Sequence, residues 1–201
     1  MSNTSLYQAM ENRRSCYGIS AHSPISDERI LELVGHAVTH VPSAFNSQSA
    51  RVAVLLGQQH KRLWNDITAG ALKKVTPADS FAQTSEKLGS FAAGYGTVLF
   101  FDHTPTTEAL MAQFSLYRDN FPVWAQQANG MLQYAVWMSL ECEGLGASLQ
   151  HYSPLIDEAV YEVFDIDRSW KLIAQMPFGT PTAQPQPKEF MPLDARIRVL
   201  R

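Results

Sequence analysis

The residues best suited to chemistry near the N-terminus are Arg13, Arg14 and Ser15. Two guanidinium groups and a hydroxyl are the hydrogen-bond donors that a phosphate monoester needs. Taken alone, the triplet is explained more simply by a solvated basic pair at the end of a helix. It therefore indicates a phosphate site only if other parts of the chain supply the rest of a ligand pocket.

A second polar group, Asn46-Ser47-Gln48, lies between a predicted helix and a predicted buried strand. Side-chain amides both donate and accept hydrogen bonds, which matches the alternating N–H, C=O and N positions on the edge of an isoalloxazine ring. The alternative is an ordinary turn that Asn and Ser stabilise through their own backbone. Composition alone supports the two interpretations equally.

Two further patterns resemble known sites and are excluded by single residues. The segment from Gly144 to Tyr152 allows close approach of the backbone to a ligand, but Leu149 replaces the third glycine of a dinucleotide fingerprint, and the segment follows a helix. His36 and His40 have helical spacing, but Ala37 stands where a zinc protease motif requires glutamate. We therefore expect neither a Rossmann site nor a metal site.

Composition excludes several classes of protein. The 201 residues carry 16 Lys and Arg against 19 Asp and Glu, with no basic stripe for nucleic acid. Only 17% of residues are charged, which suggests a second buried surface such as a subunit interface. Cys16 and Cys142 lie far apart, and no apolar run approaches a membrane span or a signal peptide. We expect one domain over residues 1–201 in a cytoplasmic protein.

Periodicity predicts mixed helix and strand. Ser26 is a predicted N-cap for a helix that Pro42 ends. The other predicted helices are Gln59 to about Lys74, Thr106–Phe114, Trp124–Cys142 and Asp157–Phe164. The predicted strands are Arg51–Gly57, Gly96–Asp102, Trp170–Met176 and, as a possible fourth, Arg196–Leu200. The Pro-rich stretch Pro177–Pro187 is predicted to be an extended arm.

Four blocks, taken together and in order, resemble the nitroreductase family. They are Asn12–Tyr17, Pro42–Arg51, Tyr117–Pro122 and Gly144–Tyr152, and Pro187–Leu193 is similar to a C-terminal signature. The resemblance is strongest to the compact branch that includes yeast-type fatty-acid-repression nitroreductases and stress-induced bacterial nitroreductases. It implies an α+β fold in which helices wrap a central, mostly antiparallel sheet. It also implies a homodimer with FMN at the interface and a domain-swapped C-terminal arm, about residues 180–201.

The same resemblance implies roles for individual residues. Arg13, Arg14 and Ser15 would hold the phosphate and ribityl end of FMN, with Lys188 as a further phosphate donor. Asn46 and Gln48 would meet the ring edge, and the residues along the ring would be Leu149, Gln150 and His151. Tyr17 stands where many relatives carry a basic residue, so its part in cofactor binding is a departure from the family pattern.

The implied activity is reduction of nitroaromatics, quinones or related acceptors by NADH or NADPH in a ping-pong mechanism. Because the flavin N5 would carry the chemistry, no catalytic side chain is expected. Trp64, Phe81, Tyr117 and Trp124 could stack on a planar acceptor or belong to the core. The alternatives are a flavin-binding sensor or regulator in stress or lipid signalling, and a flavin-free interaction protein.

Overall fold

The sheet is built around an almost entirely buried central strand. The computed structural model describes residues 5–201. Strand β3 (Gly96–His103) pairs antiparallel with β2 (Ala50–Leu56) on one side and with β5 (Trp170–Pro181) on the other. Two short strands, β1 (Ile19–Ser20) and β4 (Gly146–Ala147), also pair antiparallel with β5. This is the predicted α+β fold with an antiparallel sheet.

Helices cover both faces of this sheet. They are α1 (Leu6–Asn12), α2 (Asp27–His40), α3 (Gly57–Arg62), α4 (Ala69–Lys73), α5 (Phe81–Ala92), α6 (Thr104–Gln113), α7 (Phe121–Cys142) and α8 (Asp157–Phe164). A π-helical segment, Leu63–Thr68, joins α3 to α4. Short 3₁₀ helices occupy Ala44–Asn46, Ser115–Asn120 and Leu193–Ala195. Within residues 5–201, no helix is long and apolar enough to cross a membrane.

Alternation along β3 divides the core in two. Successive side chains of a strand face opposite sides of the sheet, so Val98 and Phe100 belong to one core and Leu99 and Phe101 to the other. The first core is completed by α2 and α7, and the second by the π-helical segment, α5 and α8. Helix α7 thus lies directly over the central strand, and its outer face is left for other contacts.

Most predicted elements are confirmed within a few residues. Ser26 caps α2 by accepting a hydrogen bond from Arg29 N at 3.3 Å. The predicted helix from Gln59 to Lys74 is present, interrupted by the π-helical segment. The helices α1 and α5 and the two-residue strands were not predicted. Each is too short or too sparsely apolar to give a clear period.

The C-terminal predictions need two corrections. The strand predicted at Arg196–Leu200 is wrong: these residues are exposed, and within the described chain no neighbouring strand supplies hydrogen-bond partners. The extended arm also begins later than predicted, because residues 177–181 complete β5. Pro177 has no N–H to donate to the sheet, and its carbonyl accepts a hydrogen bond from Ser148 N at 3.3 Å.

The segment Thr182–Arg201, called the arm below, has no strand or α-helix. Its backbone contacts the N-terminal region at Gln186, whose carbonyl accepts a hydrogen bond from Arg14 Nη2 at 2.6 Å. Beyond that point the large apolar side chains are exposed, namely Phe190, Met191, Leu193, Ile197, Val199 and Leu200. An exposed apolar run of this length points to a contact surface.

Candidate functional site

The segment Arg13–Ser15 follows α1 and runs beside β4. The backbone N–H of Arg13 donates to Ala9 O at 2.9 Å and closes the helix, and Cys16 N donates to Ala147 O at 2.9 Å. The short helix and the sheet together fix the path of the backbone. The basic pair is therefore held at the sheet edge rather than on a solvated helix end.

The Arg13 side chain is held by a helix that sequence reasoning did not connect with it. Its guanidinium carbon lies 4.4 Å from the centroid of the Trp137 ring in α7, a favourable cation–π geometry. Its Nε is buried and has no hydrogen-bond partner within the described chain. A buried donor without a partner costs about 1–3 kcal/mol, a cost that an acceptor bound at this atom would remove.

A carboxylate one turn along α7 adds to this environment. Burial raises the pKa of Glu141, and the positive charge of Arg13 opposes that rise. Among the described contacts, no hydrogen bond or ion pair joins the two side chains. The positive charge of Arg13 is therefore not neutralised by a direct ion pair with Glu141.

A cavity of about 470 Å³ lies between this segment and the arm. Its volume is within the range of small-molecule sites. The charged residues that line it are Arg13, Arg14 and Lys188, and no carboxylate residue is among the lining residues. Ser15 and Tyr17 also line the cavity. Three cations in a cavity lined by no carboxylate suit a phosphate group, although Arg14 uses one of its donors to hold the arm.

The glycine turn lies directly against this segment. A Cβ on Gly146 would lie 2.9 Å from Cys16 Sγ, so only glycine allows the two backbones to pack so closely. Burial raises the pKa of the Cys16 thiol, which disfavours the reactive thiolate form. The structure thus brings the first and fourth sequence blocks together.

The three residues predicted to lie along the ring differ in exposure. Leu149 is half-buried and His151 is exposed, whereas Gln150 is buried. Gln150 exchanges backbone hydrogen bonds with Gln175, at 2.8 and 2.9 Å, and its Nε2 donates to Ser148 Oγ at 3.1 Å. The Gln150 side chain is therefore partly engaged within the chain, which leaves its amide oxygen as its main group for a ligand.

The loop that carries Asn46 and Gln48 has an unusual backbone. Phe45, Asn46 and Gln48 have φ values of 56°, 51° and 48°, in the left-handed region that non-glycine residues seldom adopt. The side chains of Asn46 and Gln48 are exposed. Strained backbone of this kind is concentrated at binding sites, which favours the functional interpretation over an ordinary turn.

An aromatic cluster surrounds Phe45. Its ring centroid lies 4.8 Å from Phe114, 5.3 Å from Phe121, 6.0 Å from Trp124 and 6.1 Å from Tyr117. Cavities of about 410 and 450 Å³ lie on either side of Phe45. Of the aromatic residues singled out in the sequence, Tyr117 and Trp124 are in this cluster. Trp64 is instead fully buried in the core.

The sheet separates the two groups of candidate residues within one chain. Leu99 of β3 and Gln150 pair with opposite sides of Gln175, and Gln48 precedes β2 on the far side of β3. Gln150, Gln175, Leu99 and Ala53 form a row across the sheet that spans three inter-strand spacings, about 14 Å. Gln48 lies five residues before Ala53 along the chain, so it is farther than this from Gln150. A single chain therefore brings Arg13–Ser15 together with Leu149–His151, but not with Asn46 and Gln48.

The residues present fit a flavin mononucleotide. The cavity beside the arm supplies cationic donors for a phosphate, including one buried donor without a partner. The loop near Phe45 supplies exposed amides for a polar ring edge. Among residues 5–201, no group of three or more potential metal ligands occurs.

A model of the nitroreductase family matches residues 10–180 of the chain. This chain belongs to the nitroreductase family. It is 35% identical over 187 residues to HBN1 of Saccharomyces cerevisiae, covering 92% of each chain. It is 34% identical over 194 residues to the nitroreductase FRM2 of the same yeast, covering 95% of this chain and 96% of that protein.

Solved nitroreductase structures agree with this assignment. The nitroreductase CinD from Lactococcus lactis, in complex with nicotinic acid, superimposes with a TM-score of 0.91 at 40% identity, over 98% of this chain and all of that chain. Structures of the same protein contain chloramphenicol or 4-nitrophenol. Nitroreductases are generally flavin-dependent oxidoreductases, so the chain has an oxidoreductase role.

Sequence reasoning missed three residues that shape the site, namely Trp137, Glu141 and Gln175. Trp137 and Glu141 share the face of α7 that meets Arg13. Their four-residue spacing indicates that they share one face of the helix. That this face meets Arg13 becomes evident only once the helix is placed beside the N-terminal segment.

Proposed function

We propose that this nitroreductase is an FMN-dependent enzyme that uses NADH or NADPH to reduce nitroaromatics, quinones or related acceptors. The observation that carries the proposal is the cavity beside the arm, with its three cations and the buried, unpaired Nε of Arg13. Bound FMN would supply the redox chemistry, accepting a hydride from the donor and passing two electrons to the acceptor. We also propose that residues 1–201 form one domain and that the protein is located in the cytoplasm.

The side chains would bind and orient the cofactor. Arg13, Ser15 and Lys188 would hold the phosphate and ribityl end, with Arg14 shared between the phosphate and the arm. The Trp137 ring would keep the Arg13 guanidinium in place, so its donors need not reorganise when the phosphate binds. Tyr17 lines the same cavity without a positive charge, so the phosphate would depend on the other cations.

The ring end would be completed by a second copy of the chain. Because the sheet keeps Asn46 and Gln48 away from Leu149–His151, a homodimer would let the amides of one protomer meet the ring held by the other. Exposed apolar residues on α1 and the arm, including Leu6, Tyr7 and Phe190, are available for such an interface. An arm that crosses to the partner protomer would bury its own apolar side chains in this interface.

The aromatic cluster around Phe45 favours a planar acceptor. Aromatic rings stack on flat, electron-poor partners, and the cluster adjoins the loop that would face the flavin. CinD, at 40% identity, has been solved with 4-nitrophenol and chloramphenicol. We extend that class of ligand to this chain as a proposal.

A complementation experiment tests the shared site. Arg13→Ala would damage the phosphate end and an Asn46→Ala/Gln48→Ala variant the ring end, so each homodimer would lack intact sites. In mixed dimers, one of the two sites would combine the intact halves. Random mixing should therefore restore about one quarter of the sites, because half of the dimers are mixed. No recovery after subunit exchange would contradict a site shared between protomers.

Turnover tests the activity itself. The flavin-loaded protein should oxidise NADH or NADPH continuously when a nitroaromatic or a quinone is added. Bound FMN with negligible turnover on either acceptor class would instead indicate a sensor or regulator. Protein that binds no FMN would leave a flavin-free interaction protein.

A further inference from the structure

The conformation of Gln48 is imposed on it by two neighbouring side chains. Its φ of 48° is in the left-handed region, where a glutamine has no intrinsic preference to be. The backbone N–H of Gln48 donates to Ser43 Oγ at 3.0 Å. On the other side of the same residue, Arg51 Nη1 donates to Gln48 O at 2.7 Å. Both peptide groups of Gln48 are thus held by side chains.

Arg51 is itself anchored to the sheet. The same Nη1 donates to Ala50 O at 3.0 Å, and Arg51 is half-buried at the start of β2. Its guanidinium carbon lies 5.9 Å from the centroid of the Trp170 ring in β5. The side chain therefore links the end of the loop to the sheet.

The Gln48 amide is left available by this arrangement. Its side chain is exposed, and its Nε2 makes one long contact, 3.5 Å to Asn46 O. Its amide oxygen makes no hydrogen bond within residues 5–201. A strained backbone held from both sides, carrying an amide with free donor and acceptor capacity, has the properties of a preorganised ligand group.

We infer that Ser43 and Arg51 are positioning residues that hold Gln48 so that its amide meets the edge of the flavin ring. The inference rests on the proposed function. Ser43 and Arg51 act through the Gln48 backbone and do not touch the ring themselves. Without them, Gln48 would relax to an ordinary backbone conformation, and its amide would leave the position that the flavin requires.

A double-mutant cycle in the full-length protein tests this assignment, with FMN as the probe. Wild type, Arg51→Met, Gln48→Ala and the double variant are titrated with FMN, and the dissociation constant and visible absorbance band of bound FMN are recorded. Arg51→Met should weaken FMN binding about 3- to 10-fold, the range of one hydrogen bond, and shift the band. In the Gln48→Ala background it should change neither quantity, because the amide that Arg51 positions is gone.

Two further variants control for folding. Arg51→Lys keeps the charge and one donor, so it should restore part of the affinity lost in Arg51→Met. Ser43→Ala removes only a hydroxyl, and it should reproduce the band shift with an unchanged melting temperature of the flavin-free protein. If Arg51→Met fails to fold, Ser43→Ala alone decides the question by the same cycle against Gln48→Ala.

The outcomes separate the inference from the proposed function. If wild type binds FMN and both Arg51→Met and Ser43→Ala match its affinity and its absorbance band, the positioning role alone is overturned. Equal effects of Arg51→Met with and without the Gln48 amide would also overturn it, since Arg51 would then act elsewhere. A wild type that binds no FMN would overturn the proposed function and this inference with it.

Discussion

Replacing Arg13 by alanine should weaken FMN binding by about 10- to 150-fold. A charge-assisted hydrogen bond contributes about 1.5–3 kcal/mol, and each 1.4 kcal/mol changes a dissociation constant about tenfold. The Arg13 side chain also stacks on Trp137, with its guanidinium carbon 4.4 Å from the ring centroid. Arg13→Ala loses this stack with and without flavin alike, so the stack adds little to the difference in binding. The phosphate contact therefore dominates the estimate.

The assay is a titration of flavin-free protein with FMN, followed by quenching of flavin fluorescence. Arg13→Lys keeps the positive charge but loses the planar fork, so its affinity should fall between those of wild type and Arg13→Ala. Arg168→Ala is the matched control. Arg168 pairs with Glu158 on the surface and does not line the cavity, so its removal should leave FMN affinity unchanged.

Unaltered affinity in Arg13→Ala would refute the reasoning from the cavity. It would mean that the unpaired Nε of Arg13 does not mark the phosphate position, and that Arg13 serves only to pack against α7. An equal loss in Arg168→Ala would likewise contradict it, because the effect would then follow net charge rather than a local contact.

Three other predictions concern stability. Gly35→Ala should stabilise the protein by about 0.5–1 kcal/mol, because Gly35 lies in a helix and a Cβ there would meet nothing within 4 Å. Gly96→Ala should destabilise it, because the new Cβ would lie 2.6 Å from Phe178 Cζ. Urea unfolding measures both free energies, and equal effects of the two substitutions would contradict the packing. Burial lowers the pKa of His60 from 6.5 to about 4, so as pH falls through that window only the unfolded chain gains the proton. The free energy of unfolding should drop by about 3 kcal/mol from this residue, and a drop of the same size in His60→Gln would rule the assignment out. Burial raises the pKa of Glu141, so the folded state favours its neutral form; Glu141→Gln should therefore raise the melting temperature at pH 7 but not near pH 4, and a gain that is independent of pH would count against this.

Local pattern was enough to predict the central architecture. The continuous apolar run of β3 and the spaced apolar residues of α2 indicated elements that the structure confirms. The strand predicted at Arg196–Leu200 was wrong because pairing depends on a neighbouring edge, which the pattern of one segment does not contain. The helix α5 was missed because its buried residues, Leu88, Phe91 and Ala92, cluster at one end.

The candidate site was predictable in its parts but not in its arrangement. Blocks around Arg13 and Gln48 could be found by their chemistry and by resemblance to a family. That the sheet would divide them into two groups follows from strand order, which involves residues far apart in the chain. The stack of Arg13 on Trp137 and the contact of Arg51 with Trp170 depend likewise on tertiary packing, so neither shows in local sequence.

The absorbance spectrum of the FMN-loaded protein under anaerobic conditions tests the central claim most directly. Addition of NADH or NADPH should bleach the oxidised flavin band, and subsequent addition of a nitroaromatic or a quinone should restore it without further donor. Such a sequence is what a ping-pong oxidoreductase with FMN predicts. A bound flavin whose spectrum neither nicotinamide donor changes would contradict the proposed function.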